Sequence, residues 1–420
     1  MPANPASAPD NTASSWDVLI ANALVFDGSG NLPVIEDVAI ANGRIVARGA
    51  KLDRKQAQEC VDASGRWLMP GMLDIHTHLD LEVEVNPGLH EAVRHGSTSV
   101  IVGNCSLGTS FGAQLRNGES PIIDCFTRVE NMPKRVLQKC VDKITWDNTA
   151  DYLEHFKRIP LGPNIAPLVP HSMLRIEVMG IDAAVNREPT AEEQARMEQL
   201  LDKALDEGYI GMSNDGIVFH YLSNDPNKEK RIPTQYASNE ELEALVDRLR
   251  AKDRVWQTTP DAQQMDVTVK RFFLTSGRLH RKPLRVSALV ALDFTHKPGM
   301  WRMMVFLSRV LNSFIYKGKF HFQALSTNFR MWATGAYIPV FEEIPSTRAL
   351  IACEIDDREG RRALLDDPQW QESFRRDWSM IQPCTGLDKY KLPPLTLQLL
   401  IENAVKHNVA SQERPLKISV

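Results

Sequence analysis

The chain has 420 residues, a net charge of −4, 43% hydrophobic and 24% charged side chains. That length suits one large domain with a small one, or two to three ordinary domains, and the composition is that of a soluble globular protein. The charge offers no basic field for nucleic acid or an anionic membrane, and no apolar run approaches the roughly 20 residues of a spanning helix.

Residues 1–16 are rich in Pro, Ala, Ser and Asn, with neither a basic start nor an apolar core. They read as a disordered tail, not a signal peptide, and a cytoplasmic location is the default expectation. Residues 17–69 show short β-like runs between turn signals: Asp17 to Phe26, Glu36 to Ile40, Ile45 to Ala47, Cys60 to Asp62 and Trp67 to Met69. Asn42-Gly43 is a strong hairpin dipeptide. These runs predict a small antiparallel β-subdomain. Over residues 70–378 strands alternate with helices, the mark of a parallel α/β architecture. Candidate strands are Met72–His76, Ser99–Gly103, Ile165–Val169, Tyr209–Met212, Val255–Thr258, Leu284–Val290 and His321–Ala324. Thr190-Ala-Glu-Glu193 is a capping box opening a helix with Met197, Leu200, Leu201, Ala204 and Leu205 on one stripe, ended by Gly208. Ser238-Asn-Glu-Glu241 opens another, with Leu242, Leu245, Val246 and Leu249 inward. The strand count is one short of the eight in a closed barrel.

The stretch Trp67 to Asp80 organises the chain. Pro70-Gly71 punctuates it, and a short apolar run then delivers His76 and His78. On an extended strand such residues share a face, so two neutral imidazoles reach one metal ion. Taken alone, the pair also fits two unrelated surface histidines. Cys105 follows the second strand in Val100-Ile-Val-Gly-Asn-Cys-Ser-Leu107, where a thiolate is a candidate ligand and a buried inert thiol the bland alternative. None of the six cysteines forms a Cys-x-x-Cys pair, and the others read as small buried apolar groups.

Pro-Gly-Met-Leu-Asp-Ile-His-Thr-His resembles the end of the first barrel strand in the amidohydrolase superfamily. Gly103-Asn104-Cys105 resembles the motif of its N-acyl-D-amino-acid deacylase branch, and the segments around His171 and Glu188 to Glu193 are similar too. The resemblance spans about residues 17–378. It implies a (β/α)8 TIM-like barrel, incomplete at its last strand, with an N-terminal β-sandwich subdomain. It also implies a zinc ion on His76, His78 and Cys105, and N-acyl amino acid substrates. Arg175 suits a carboxylate anchor, with a surface salt bridge as the alternative, and His171 stands beside it in the substrate-binding set. The sequence departs from the branch at the later ligands. Thr258, Thr259 and Ala288 stand about where two further histidines are expected, and His296 lies beyond. One ion is therefore expected, the second lacking its histidines. The family's final aspartate has no counterpart, which leaves Asp80 or Asp215 as substitute acid–base residues. Asp215 lies in Ser213-Asn-Asp-Gly216, where a turn role is the alternative.

Residues 379–420 change character. Lys391 to Asn408 resembles the ATP-binding segment of autolysin-regulator-type sensor histidine kinases, with Asn403 at the magnesium position. Leu397, Leu400, Ile401 and Ala404 explain the same spacing as an amphipathic helix. A fusion, a truncated reading and an assembly artefact all fit this junction. The expected activity is metal-assisted hydrolysis of a linear amide, and the rivals are a non-enzymatic relic of the barrel and an ATP-binding piece. A barrel short of one strand exposes two parallel edges. It predicts marginal stability, or repair by the C-terminal segment or by a partner chain, as in a homo-oligomer.

Overall fold

The computed structural model describes residues 15–112, 120–261, 264–291, 299–324, 341–342 and 344–380. The expectations for His296 and for residues 381–420, the kinase-like helix included, lie outside them. The chain divides into two compact units, Met1–Met72 and Leu73–Val420.

The first unit is a five-stranded sheet, ordered β3-β2-β1-β4 with β5 also on β1. Its strands are β1 (Trp16–Val25), β2 (Val34–Ala41), β3 (Arg44–Gly49), β4 (Ala57–Asp62) and β5 (Trp67–Leu68). Asn42 and Gly43 both take positive φ, 51° and 70°, as a two-residue hairpin between β2 and β3 requires. Leu19, Ala21, Ala23 and Val25 alternate onto the buried face of β1. One expectation is corrected: the sheet is mixed, because β4 and β5 run parallel to β1. Both return to β1 by a crossover, a connection that strand alternation does not reveal. The described residues form a single layer here and do not include the second sheet of a sandwich.

In the second unit a seven-stranded sheet follows chain order from β6 to β12. The strands are β6 (Met72–Asp74), β7 (Ser97–Val102), β8 (Asn164–Pro170), β9 (Gly211–Ser213), β10 (Val255–Thr258), β11 (Arg285–Ala288) and β12 (Lys319–Phe322). All seven fall on the expected segments, and β7 to β12 pair parallel. Val100, Val102, Leu168, Met212, Trp256, Val286 and Phe320 are buried along it, as a sheet covered on both faces demands. The helix Ala191–Glu207 starts at the Thr190 capping box and buries Met197, Leu201, Ala204 and Leu205. The helix Asn239–Ala251 is capped by the Ser238 side chain, while Glu241 turns inward to His171 and Arg175. Helices Arg358–Asp366 and Pro368–Met380 pack on their own small cluster of Leu350, Leu365, Trp370 and Phe374.

The sheet is a partial barrel. Among the described residues β6 and β12 are its two edges. Even so, His76 just after β6 bonds Gln323 just after β12 at 2.7 Å, so the sheet curls until its edges approach at one end.

Gly211 marks the tightest strand approach, since a Cβ there would lie 1.8 Å from the Val255 carbonyl oxygen. Gly211→Ala is expected to separate β9 from β10 and lower stability by about 3 kcal/mol or more. Urea denaturation checks this, and an unchanged midpoint contradicts it.

Candidate metal centre

His76 and His78 flank Thr77 on the segment leaving β6. Thr77 turns inward and its Oγ1 donates to the Ile101 carbonyl of β7 at 2.7 Å. Its two neighbours therefore turn the other way together, with ring centroids 5.3 Å apart. Cys105 sits in a tight turn after β7, where Gly103, Cys105 and Ser106 have φ of 78°, 49° and 68°. Only glycine fits at 103, because a Cβ would lie 2.5 Å from the Leu168 carbonyl oxygen. Left-handed backbone at Cys105 and Ser106 needs surrounding bonds to hold it. Asn104 supplies two of them: its amide donates to the carbonyls of Ile101 at 2.9 Å and Thr77 at 3.2 Å. The Cys105 N–H donates to Gln257 Oε1 at 3.0 Å, and the Ser106 N–H to Ser213 Oγ at 2.9 Å. Asn104 thus clamps the end of β6 to the end of β7 and sets the cysteine against the histidines.

One ligand atom each from His76, His78 and Cys105 lies within 4.8 Å of the other two. His76 Nε2 is 3.3 Å from Cys105 Sγ. The Nδ1 of the same ring meets Gln323 Oε1, and Gln323 Nε2 donates to Ser287 Oγ of β11 at 3.1 Å. That second bond holds the amide in place against the ring. Nδ1–H is then the donor and Nε2 keeps its lone pair towards the sulfur, which is how an outer partner prepares a ligating histidine.

Burial pushes the His78 pKa down to about 3, with the His76 and His220 charges adding to it, and burial lowers His76 too. Both rings are neutral at neutral pH, the form that binds metal. Burial, then the carboxylates of Asp215, Glu130 and Asp80, hold the Cys105 thiol well above its ordinary range. A bound cation reverses that balance. Asp80 is buried with no side-chain partner for either oxygen, and burial pushes it up to about 7 against weaker opposing pulls from its own backbone amide and that of Gly103. Glu130 is pushed up to about 8 by burial and by Asp80 and Asp215. A zinc ion fits these residues. The sulfur and nitrogen donors converge, and His78 Nδ1 and both Asp80 oxygens are buried without partners.

Other expected site residues are placed differently. Asp215 is buried beside the group but already engaged: its Oδ1 accepts from Thr259 Oγ1 at 2.5 Å and its Oδ2 faces His220 Nδ1 at 2.8 Å. His171 and Arg175 are fully buried and converge on Glu241, His171 Nε2 at 2.9 Å and Arg175 Nη1 in direct contact. Burial alone would raise Glu241; the His171 and Arg175 bonds and charges outweigh it and hold its pKa below the usual range. The open carboxylate anchor expected at Arg175 is thus corrected to an internal ion pair, because its terminal nitrogens face Glu241 and the Ala184 and Arg187 carbonyls. Thr258 and Ala288 pair in register at the ends of β10 and β11 and bring no imidazole. Sequence reasoning missed Gln257, Gln323 and Glu130. The rule that barrel chemistry sits at the carboxyl ends of strands would have flagged both glutamines.

The fold and the site define a partial parallel α/β barrel with a candidate metal centre at its strand ends. Residues 59–254 match the model of the amidohydrolase family. An uncharacterised protein of Mycobacterium tuberculosis is 39% identical over 375 residues, 88% of this chain and 60% of that protein. N-acyl-D-aspartate deacylase of Alcaligenes xylosoxydans xylosoxydans is 32% identical over 220 residues, 52% of this chain and 40% of the deacylase. The chain therefore spans 60% or less of the length of these relatives. A D-aminoacylase structure with a binuclear metal centre, described by one-metal activation and second-metal attenuation, aligns at TM-score 0.57 and 23% identity, covering 74% of this chain and 59% of that one. N-acyl-D-glutamate deacylase from Bordetella bronchiseptica, complexed with zinc and a phosphonate inhibitor, aligns at TM-score 0.55 and 21% identity, covering 74% and 57%. These structural likenesses speak for the fold. Among the described residues no helix is long and apolar enough to cross a membrane.

Two expectations follow. Asp80 and Glu130 have folded pKa values of about 7 and about 8, above the ordinary carboxylate range near 4. The folded state holds protons that the unfolded state releases, so their contribution is full below about pH 4 and is lost as pH rises through 7 to 8. Metal-free protein is expected to melt lower at pH 8 than at pH 5, with Asp80→Asn flattening the trend; a flat wild-type profile contradicts this. Arg175→Leu strips Glu241 of its guanidinium partner and is expected to cost about 3 kcal/mol of stability while metal content stays unchanged. Denaturant titration alongside metal analysis checks it.

Proposed function

We propose that this chain is a metal-dependent hydrolase of amide C–N bonds, acting on N-acyl-D-amino acids or close relatives of them. One observation carries the reading: His76, His78 and Cys105 bring their ligand atoms within 4.8 Å at strand ends of a partial barrel. Support comes from the relatives, a deacylase of N-acyl-D-aspartate and, by fold, a deacylase complexed with zinc. The chemistry is assigned to residues 70–378, with residues 17–69 as an accessory β-sheet subdomain. The described cysteines are all unpaired, which suits a reducing, cytoplasmic setting.

In this reading His76, His78 and Cys105 hold one zinc ion. When bound, zinc would supply Lewis acidity toward the acyl carbonyl and lower the pKa of a water to about 7. Gln323 keeps His76 in the ligating tautomer. Asp80, two residues past His78 and engaged by no other side chain, is the residue free to take the water's proton and return it to the leaving amine. Asp215 holds the His220 ring by its Nδ1 and serves catalysis through that ring. The second reading is a metal-binding relic without turnover, favoured by Thr258, Thr259 and Ala288 at the expected later-ligand positions.

The test is metal analysis of purified protein with a panel of N-acetyl-D- and L-amino acids. About one zinc per chain and stereoselective release of D-amino acids are expected, with both lost in Cys105→Ala. Zinc without turnover selects the relic. Protein that takes up no transition metal, and behaves the same after Cys105→Ala, ends both readings.

A further inference from the structure

We propose that the outer face of the helix Met300–Leu311, with the turn after it, is a docking surface for an anionic lipid bilayer. The inference is independent of the metal-hydrolase reading. The helix lies in the second unit, between β11 and β12.

Packing fixes which side of this helix faces out. Leu311 is buried and Leu307 packs on the core. The Asn312 side chain bonds both backbone groups of Phe320 on β12, at 2.7 Å each, and Ser308 Oγ donates to the same carbonyl at 3.1 Å. The turn is held as well: the Tyr316 carbonyl accepts from Ser276 Oγ at 2.8 Å and from the Arg278 amide at 3.1 Å. Met303, Phe306, Val310 and Phe314 recur at intervals of three and four on the side left over. Phe314 is 84% exposed, Phe306 67%, Met303 58% and Ile315 54%, and Trp301 is exposed at the start of the helix. A single side chain of this kind would be ordinary. A run of them along one short, rigidly held segment marks a partner.

Charge decides which partner. The chain as a whole is net −4, yet residues 294–341 contain no Asp or Glu and six Lys or Arg. Arg302 and Arg309 are exposed and stand seven residues apart, on one line beside the apolar stripe, and Lys317 is exposed in the turn. The Arg302 guanidinium lies 5.6 Å from the ring centroid of its neighbour Trp301. Among the described residues none of these three cations has a carboxylate partner, whereas Lys319 faces Asp253. A second copy of the chain would set the same cations against themselves. Residues 381–420, with five Lys or Arg and three Asp or Glu, are basic too. The face calls for an apolar medium edged by negative charge. An acidic protein groove would offer hydrogen-bond partners, and the stripe carries no polar side chain to meet them. The boundary between acyl chains and anionic headgroups supplies both needs: aromatic and Met side chains enter it, and Arg and Lys stems reach back to the phosphates. At 12 residues the helix is too short to cross a bilayer and would lie along its surface.

Flotation of the whole chain with vesicles tests this. Vesicles of phosphatidylcholine with about one-third phosphatidylglycerol are expected to bind it at least about tenfold more tightly than phosphatidylcholine alone, and less tightly as salt rises. Phe306→Gln with Phe314→Gln, and separately Arg302→Gln with Arg309→Gln, are each expected to weaken binding at least about tenfold. All four side chains are exposed, so both variants are expected to melt within about 2 °C of wild type. No binding by wild type, equal binding to the two kinds of vesicle, or binding that survives both pairs of substitutions overturns the proposal. A dimer that the Phe substitutions dissolve, in protein that ignores vesicles, gives the face to a second copy and overturns it too. Saturable binding of a polyglutamate peptide, with vesicles again ignored, gives the face to an acidic protein with the same result.

Discussion

The backbone of Gly103 comes so close to the Leu168 carbonyl that a side chain has no room. The site descends from that contact. It lets β7 pack against β8 at full depth and bends the chain into left-handed backbone at Cys105 and Ser106. Such backbone persists only when neighbours hold it, and here five strand ends contribute. Asn104 binds the carbonyls of Ile101 and Thr77, while Gln257 and Ser213 receive the next two amides. Ser172 closes the ring through Ser106 Oγ at 2.9 Å. The cysteine is aimed by the sheet beneath it, and its own turn is only the last link.

The two edges of the partial barrel meet through side chains. His76 and Gln323 bond across the place where an eighth strand would lie, and Gln323 is itself anchored to Ser287 on β11. One contact therefore brings the sheet's ends together and orients the His76 ring. Fold and site are coupled there: an ion that draws His76 towards Cys105 also draws β6 towards β12. The crowd of carboxylates bears on the same site. Burial and mutual crowding push Asp80 and Glu130 up, so protons relieve their repulsion in the metal-free site, and a cation bound there would compete with those protons.

Around the centre, buried ion pairs hold the loops. Arg128 grips Glu342 through two nitrogens at 2.6 Å and donates to the Leu222 carbonyl at 2.8 Å. Its guanidinium and that of Arg348 lie over the Tyr221 ring, at 5.1 and 4.9 Å from the centroid. Tyr221 is the neighbour of His220, so this cluster steadies the loop that presents His220 to Asp215. The Glu241 network does the same work from the other side, joining the helix Asn239–Ala251 to the segment after β8. Thr234 ties in by facing His171 Nδ1 at 2.9 Å. Bonds of this kind specify one arrangement of loops more than they add stability, since each partner left alone would be a buried charge.

The seven parallel strands, the helix caps at Thr190 and Ser238, and the His-x-His and Gly-Asn-Cys donors were legible in the sequence, since each is a local pattern. Burial on both faces makes a continuous apolar run, a cap is four residues long, and a tight turn needs its glycine in place. The parallel return of β4, the inward turn of Arg175, and the Gln323 bond to His76 were settled only by tertiary structure. His76 and Gln323 are 247 residues apart, and no periodicity links them. Arg175 looks the same in sequence whether it faces solvent or Glu241; its role depends on which helix packs over it. Composition and spacing choose the residue types and the strands that carry them, while the curl of the sheet decides which distant side chains meet them.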